Sequence, residues 1–144
     1  QPPASVGQSP AMSFCSDAQS MSPERTFLNY HTHPRAYGSF ARVIGKYVRD
    51  EGVITLQDAV RRLSGFAADN LKIKSRGYLK PDYFADVVVF DPANVQDYSV
   101  PDNPHQYSDG MIHVFVNGTQ VLKDGKHTGE FPGRVVRGPG WTGL

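Results

Sequence analysis

One cysteine and one tryptophan stand in a chain of 144 residues. With Cys15 alone no internal disulfide can form, which excludes a disulfide-framework scaffold. A lone thiol fits a reducing, cytoplasmic compartment and leaves open a signal peptide on an upstream part. An excess of one charge is also missing: 15 Lys and Arg stand against 14 Asp and Glu, a formal charge of +1. The basic residues are scattered, so neither nucleic acid nor a membrane is expected as a partner. No apolar run approaches the roughly 20 residues that a bilayer span needs. No initiator methionine, signal-peptide pattern or tag opens the chain. It begins QPPASVGQSP, a stretch that reads as a loop cut mid-chain, and a piece or processed product of a longer protein is expected.

What is present is globular in composition, 39% hydrophobic and 20% charged. Ala11 to Cys15 form a short apolar run that meets Ser16 and Asp17, which predicts a strand ending in polar residues. Residues 18–39 read as a long loop. Phe40, Val43, Ile44, Tyr47 and Val48 fall at helical spacing, with Ser39 as the expected cap and Gly52 as the stop. A second helix is expected from Thr55, with Asp58 three residues on, a buried stripe of Leu56, Ala59, Val60 and Leu63, and an end at Gly65. Residues 67–71 hold room for one more turn.

After Gly77 the period changes. Ala85 to Phe90 read as a buried strand stopped by Asp91-Pro92, and residues 92–110 as a polar loop. Ile112 to Val116, Asn117-Gly118 and Thr119 to Leu122 predict a hairpin, because a type I′ turn needs positive φ at both central positions. The tail from Gly133 reads as extended. The order is the end of an α/β unit followed by β structure, and neither part closes an architecture alone.

Read singly, few residues point to chemistry. Asp17 after Ser16 suits a turn. His31 and His33 have the His-x-His spacing that puts two imidazoles on one face of a strand, but no apolar strand precedes them and Pro34 follows at once. Cys15 reads as a buried structural thiol. Asp86 and Asp91 read as turn and edge residues rather than an acid pair, and His105, His113 and His127 as core or surface residues.

Three blocks carry a resemblance. HPRAYGSFARVIGKYVRDEGVITLQDAVRRLSGFAADNL (33–71) resembles the D-aminoacylase, or N-acyl-D-amino-acid deacylase, branch of the amidohydrolase superfamily. GYLKPDYFADVVVFDP (77–92) is similar to the wider amidohydrolase pattern, and PHQYSDGMIHVFVNGTQVLKDGKHTGEFPGRVVRG (104–138) continues the match to the branch. The HPRxYGxF and RVxGxYVRxEG patterns name the branch; KPxxxADxVxFD names only the superfamily. Asp82 departs from the usual Gly of a surface turn, and residues 1–12 lie outside the resemblance.

The resemblance implies an α/β fold: the last βα unit of a (β/α)₈ amidohydrolase barrel plus the carboxy-terminal part of a small β-sandwich. Residues 1–75 would end the catalytic barrel, with 11–17 as its eighth strand, and 76–144 would be the sandwich portion and tail. It implies a zinc-dependent hydrolase that cleaves N-acyl-D-amino acids, with zinc ligands upstream of this chain. Asp17 would take a proton from zinc-bound water and give it to the departing amine. Arg35 would grip the substrate's α-carboxylate with its fork. No metal ligand is expected in this chain beyond Asp17, which is left open; His31 and His33 are not expected to bind zinc, and His33 is expected to shape the loop that positions Arg35. The partners implied are a small-molecule substrate and the remainder of the parent chain or a partner chain. Two alternatives stand: a non-catalytic or pseudoenzyme module serving packing, and a dihydroorotase-like or hydantoinase-like amidohydrolase, which shares 77–92 but not HPRAYGSF.

Overall fold

The computed structural model describes Ser9 and residues 11–143. A 3₁₀ turn, Arg25–Asn29, interrupts the segment expected as loop. Helix α1, Arg35–Arg42, then runs directly into a π-helical segment, Val43–Asp50. The helix therefore starts at Arg35, earlier than the apolar spacing predicts. Pro34 precedes it with φ −49°, close to the helical value its ring favours. Ser39, the expected cap, lies inside the helix, where its hydroxyl donates back to the Arg35 carbonyl at 2.9 Å. The π turns close with the Glu51 amide on the Lys46 carbonyl at 2.9 Å, and Gly52 follows at φ +60°.

Helix α2, Leu56–Leu63, begins as the sequence predicts: Thr55 Oγ1 accepts the Asp58 amide at 3.2 Å. Its buried side differs from the expected stripe. Val60 is exposed, and Arg62 is buried, ion-paired to Asp58 Oδ2 at 2.7 Å and 6.0 Å from the Phe14 ring centre. A long stem lets Arg62 cover apolar surface that the branched Val60 faces away from. Gly65 does not end the helical run; after a break at Ser64 it opens α3, Gly65–Asn70.

Four antiparallel strands follow in the order β1 (Val87–Phe90), β2 (Met111–Val116), β3 (Thr119–Lys123) and β4 (Lys126–His127). Asn117 and Gly118 have φ +50° and +82°, as the β2–β3 turn requires. Asp124-Gly125 repeats the device at +48° and +74° and leads into β4, an element that the spacing does not predict.

Two strand expectations are corrected. β1 is an edge strand, not a buried one, with Val88 and Val89 51% and 42% exposed. Residues 11–17 form no strand here, because among the described residues their amides and carbonyls meet no neighbouring strand. Among the described residues helices and sheet are therefore segregated, and no βαβ unit is formed.

The segment expected as a polar loop, 92–110, is a packing centre. Val95 and Ser99 are wholly buried. Val95 joins Ala41 and Ile44 in one core cluster, with Leu56, Leu63, Phe90 and Met111 packed around it; Val43, Ile54 and Ala59 form a second, against Phe14 and Tyr47. Gly45 permits the approach: a Cβ there would lie 2.6 Å from the Val95 carbonyl oxygen. Two arginines one heptad apart tie the segment to the helix. Arg42 donates to Asp97 Oδ2 from Nε at 2.8 Å and Nη2 at 2.5 Å. Arg49 donates to the Val95 carbonyl at 2.6 Å and to Gln96 Oε1 at 3.0 Å.

Candidate functional site

The first turn of α1 presents Arg35. Amides there lack an intrahelical partner, and the Arg35 amide finds one in His33 Nδ1 at 3.1 Å. His33 thus fixes the start of the helix that carries Arg35. The guanidinium reaches back across the chain, placing Nη1 3.2 Å from Asp17 Oδ2. Asp17 sits at φ +49°, a left-handed conformation that Asp adopts more readily than most residues. Its amide lies 3.4 Å from Cys15 Sγ, which accepts from it. Cys15 is exposed, not buried as the apolar run suggests, because no strand among the described residues covers this segment.

Both members of the ion pair face water: Asp17 is 85% and Arg35 48% exposed at the side chain. A pair in that setting contributes about 0–1 kcal/mol, so folding gains little from holding these groups together. They stand at a cavity of about 540 Å³, lined also by Met21, Phe27, Tyr30, His31, Thr32 and His33. Met21 and Phe27 supply apolar wall, and Asp17 and Arg35 supply opposite charges at one side.

A relay behind the cavity joins it to the 92–110 segment. His105 bonds the Tyr30 carbonyl through Nε2 at 2.9 Å and the Tyr37 hydroxyl through Nδ1 at 3.2 Å. A carbonyl can only accept, so Nε2 donates to Tyr30, while Nδ1 and the Tyr37 hydroxyl, each able to sit at either end of a hydrogen bond, share the second contact. The Tyr37 ring also meets Tyr107 edge to face at 5.9 Å, and Ser108 donates to the Tyr37 carbonyl at 3.0 Å. Burial, with the Tyr107 phenol adding to it, raises the Tyr37 pKa above 10.0. Tyr30, Tyr37 and His105 gave no signal of this in the sequence, since the bonds span 75 and 68 positions.

Among the described residues no group of three His, Cys, Asp or Glu side chains is placed to hold a metal ion. His31 and His33 both line the cavity, but neither is on a strand, and His33 Nδ1 is engaged with the Arg35 amide. This donor set does not fit a zinc site by itself. Asp86 and Asp91 have local duties: Asp86 takes the Asn117 amide at 2.9 Å and pairs with Arg76, and Asp91 takes the Ala93 amide at 2.9 Å.

No protein-family model matches the chain. Three curated proteins of Alcaligenes xylosoxydans xylosoxydans do, two of which show the extent of the match. A D-aminoacylase is 42% identical over 104 residues, which is 72% of this chain and 22% of the relative. An N-acyl-D-aspartate deacylase is 43% identical over 107 residues, 74% of this chain and 21% of the relative. In structure, the N-acyl-D-glutamate deacylase of Bordetella bronchiseptica, solved with zinc and a phosphonate mimic of the tetrahedral intermediate, superposes with a TM-score of 0.72 at 37% identity. That match covers 86% of this chain and 26% of the deacylase. The chain spans about a fifth of the length of the curated relatives it matches. Over about three quarters of its own length it is a homologue of the D-aminoacylase branch of the amidohydrolases.

Proposed function

We propose that this chain supplies the proton-transferring carboxylate and the carboxylate-binding arginine of an enzyme that hydrolyses N-acyl-D-amino acids to a D-amino acid and a carboxylate. The observation that carries this is the Asp17–Arg35 pair at the cavity, 3.2 Å apart. Amide hydrolysis needs a base for the attacking water and an acid for the leaving nitrogen. A single carboxylate serves both if it takes the proton in one step and returns it in the next. Asp17 has the exposure to do so. Arg35 engages Asp17 through one nitrogen of its fork, and the same fork can turn to the substrate's α-carboxylate and grip it with two parallel bonds. Fixing that carboxylate beside the reacting amide is one requirement for choosing between enantiomers.

Zinc, when bound, supplies Lewis-acid polarisation and activates water; its ligands would come from outside these residues. In the parent protein, residues 11–17 would gain neighbours as the last barrel strand, 1–75 would complete the barrel, and 76–144 would form part of a β-sandwich. The exposed Val88 and Val89 of β1 support burial against the remainder of the parent chain or a partner chain, since a bare apolar edge is an aggregation risk. That edge equally suits the alternative reading, a module kept for packing alone.

The test compares the 144-residue chain with the longer parent, both supplied with zinc, on N-acetyl derivatives of neutral D-amino acids, D-aspartate and D-glutamate. The chain alone is expected to be inactive. In the parent, Asp17→Asn is expected to cut kcat by about 10²-fold or more, and Arg35→Gln to raise KM. Activity of the chain alone, or full kcat in the Asp17→Asn parent, overturns the assignment. A parent that opens cyclic amides instead points to the hydantoinase-like reading, and one inactive on every amide to the packing module.

A further inference from the structure

Cations scattered along the sequence meet in a second cavity. Lys72, Lys74, Arg76, Arg134 and Arg137 line a space of about 540 Å³, with Phe84 and Trp141 as its aromatic walls and no Asp or Glu in its lining. One of the five is already neutralised: Arg76 pairs with Asp86, donates to Asn117 Oδ1 at 2.6 Å and lies 4.1 Å over the Phe84 ring. Among the described residues the other four have no ion-pair partner. Lys72 and Lys74 follow the carboxyl end of α3 at Asn70, where a helix favours cations. Arg134 and Arg137 have no such account. They come from the tail, which is folded back so that Gly138 approaches the Leu71 carbonyl.

The chain as a whole carries a formal charge of only +1. Four cations without an ion-pair partner among the described residues, gathered around one concavity, therefore repel one another. The volume lies in the range of small-ligand sites, about 300–1,000 Å³. Arg137 stacks on Trp141 with its guanidinium carbon 3.4 Å from the ring centre. Stacking holds the fork in one plane, which lowers the entropy lost when it takes an oxyanion bidentately.

We propose that this cavity binds a small, multiply charged oxyanion of the oligophosphate class, with Arg134 and Arg137 as its forks and Lys72 and Lys74 as point charges. Several negative charges on adjacent groups match four cations better than one carboxylate does. Nothing in this assignment depends on the Asp17 site.

Trp141 is the only tryptophan, so its fluorescence reports this cavity alone. Pyrophosphate is titrated into the 144-residue chain at low ionic strength, with sodium chloride added separately to the same ionic strength. A saturable change is expected with pyrophosphate and none with chloride. Arg134→Gln is expected to weaken binding about tenfold, the loss of one charge-assisted fork, with an unchanged circular dichroism spectrum. Lys123→Gln, an exposed change on β3, is expected to leave binding as it was. Calorimetry repeats the comparison for Arg137→Gln, whose own effect on the fluorophore would obscure an optical readout. A response that follows ionic strength alone, or binding undiminished in both arginine variants, overturns the proposal.

Discussion

Removing the Arg42 guanidinium tests what fastens the 92–110 segment to the helix. Asp97 is 7% exposed at its side chain, and Arg42 holds it through Nε at 2.8 Å and Nη2 at 2.5 Å. Arg42→Met keeps much of the aliphatic stem and deletes the fork, leaving a carboxylate in a shell that water scarcely reaches. Deleting one member of a fully buried pair costs about 3–5 kcal/mol, and an exposed pair is worth about 0–1 kcal/mol. Arg42 is itself 40% exposed, so solvent screens part of the loss. The expected destabilisation is therefore intermediate, about 2 kcal/mol. Asp97→Asn keeps shape and an acceptor oxygen and is expected to cost about 1 kcal/mol. The double variant should cost less than the sum, because each single change already breaks the same bond. Urea unfolding followed by far-ultraviolet circular dichroism measures all three, with midpoints shifting and slopes unchanged. A loss under about 0.5 kcal/mol for Arg42→Met, the level of an ordinary surface change, would refute the fastening role. Strict additivity of the two single changes would do the same.

Three further outcomes are expected. Thr55→Ala removes the acceptor for the Asp58 amide and should cost about 1 kcal/mol, read as a lower thermal midpoint; no shift would show that the cap is idle. Gly118→Ala places a Cβ in open space but at φ +82°, so strain alone should cost about 1–2 kcal/mol, and a neutral result would mean that the turn has changed type. Stability should fall as pH drops below about 4. For Asp58, burial pushes the pKa up, but bonds from Arg61 and Arg62 outweigh it and hold it below 3.8; for Asp91, the Asn94 amide and then the Ala93 amide hold it below 3.8. Depressed carboxylates add stability above their unfolded pKa and lose it as pH falls, so Asp91→Asn should flatten the decline in urea midpoint at acid pH.

Features set by neighbouring residues were legible in the sequence. The Thr55 cap and the Asn117-Gly118 turn depend on residues within three positions, and both stand as expected. Asp124-Gly125 carries the same turn chemistry, but the strand it introduces is only two residues long and leaves no apolar run to notice. The start of α1 was displaced because the apolar stripe begins at Phe40, whereas the helix is set by Pro34 and by the His33 ring on the Arg35 amide. Apolar patterning also misjudged burial at Val60, Val88 and Val89, all exposed here: it identifies an apolar segment, not the surface that covers it. For the site, spacing alone left Asp17 as a turn residue and Arg35 unremarked. The HPRAYGSF resemblance singled out the two residues that the fold brings within 3.2 Å.

The least legible segment ties the site to the core. Residues 92–110 look like linker by composition, yet their contacts lie far away in sequence: Asp97 with Arg42, Val95 with Arg49, His105 with Tyr30 and Tyr37. Arg42 and Arg49 grip the segment's first half. His105, Tyr107 and Ser108, in its second half, surround Tyr37 on the same helix that carries Arg35. Ser99 sits between the halves, wholly buried, and donates to the Pro104 carbonyl at 2.6 Å, closing the loop on itself. The position of Arg35 is thus set from two sides, by His33 at the helix start and by a loop locked to the helix body. An exposed pair such as Asp17 and Arg35 has too little energy of its own to fix its geometry. Precision at the site has to come from this buried scaffold, which holds the helix in place whether or not the pair forms.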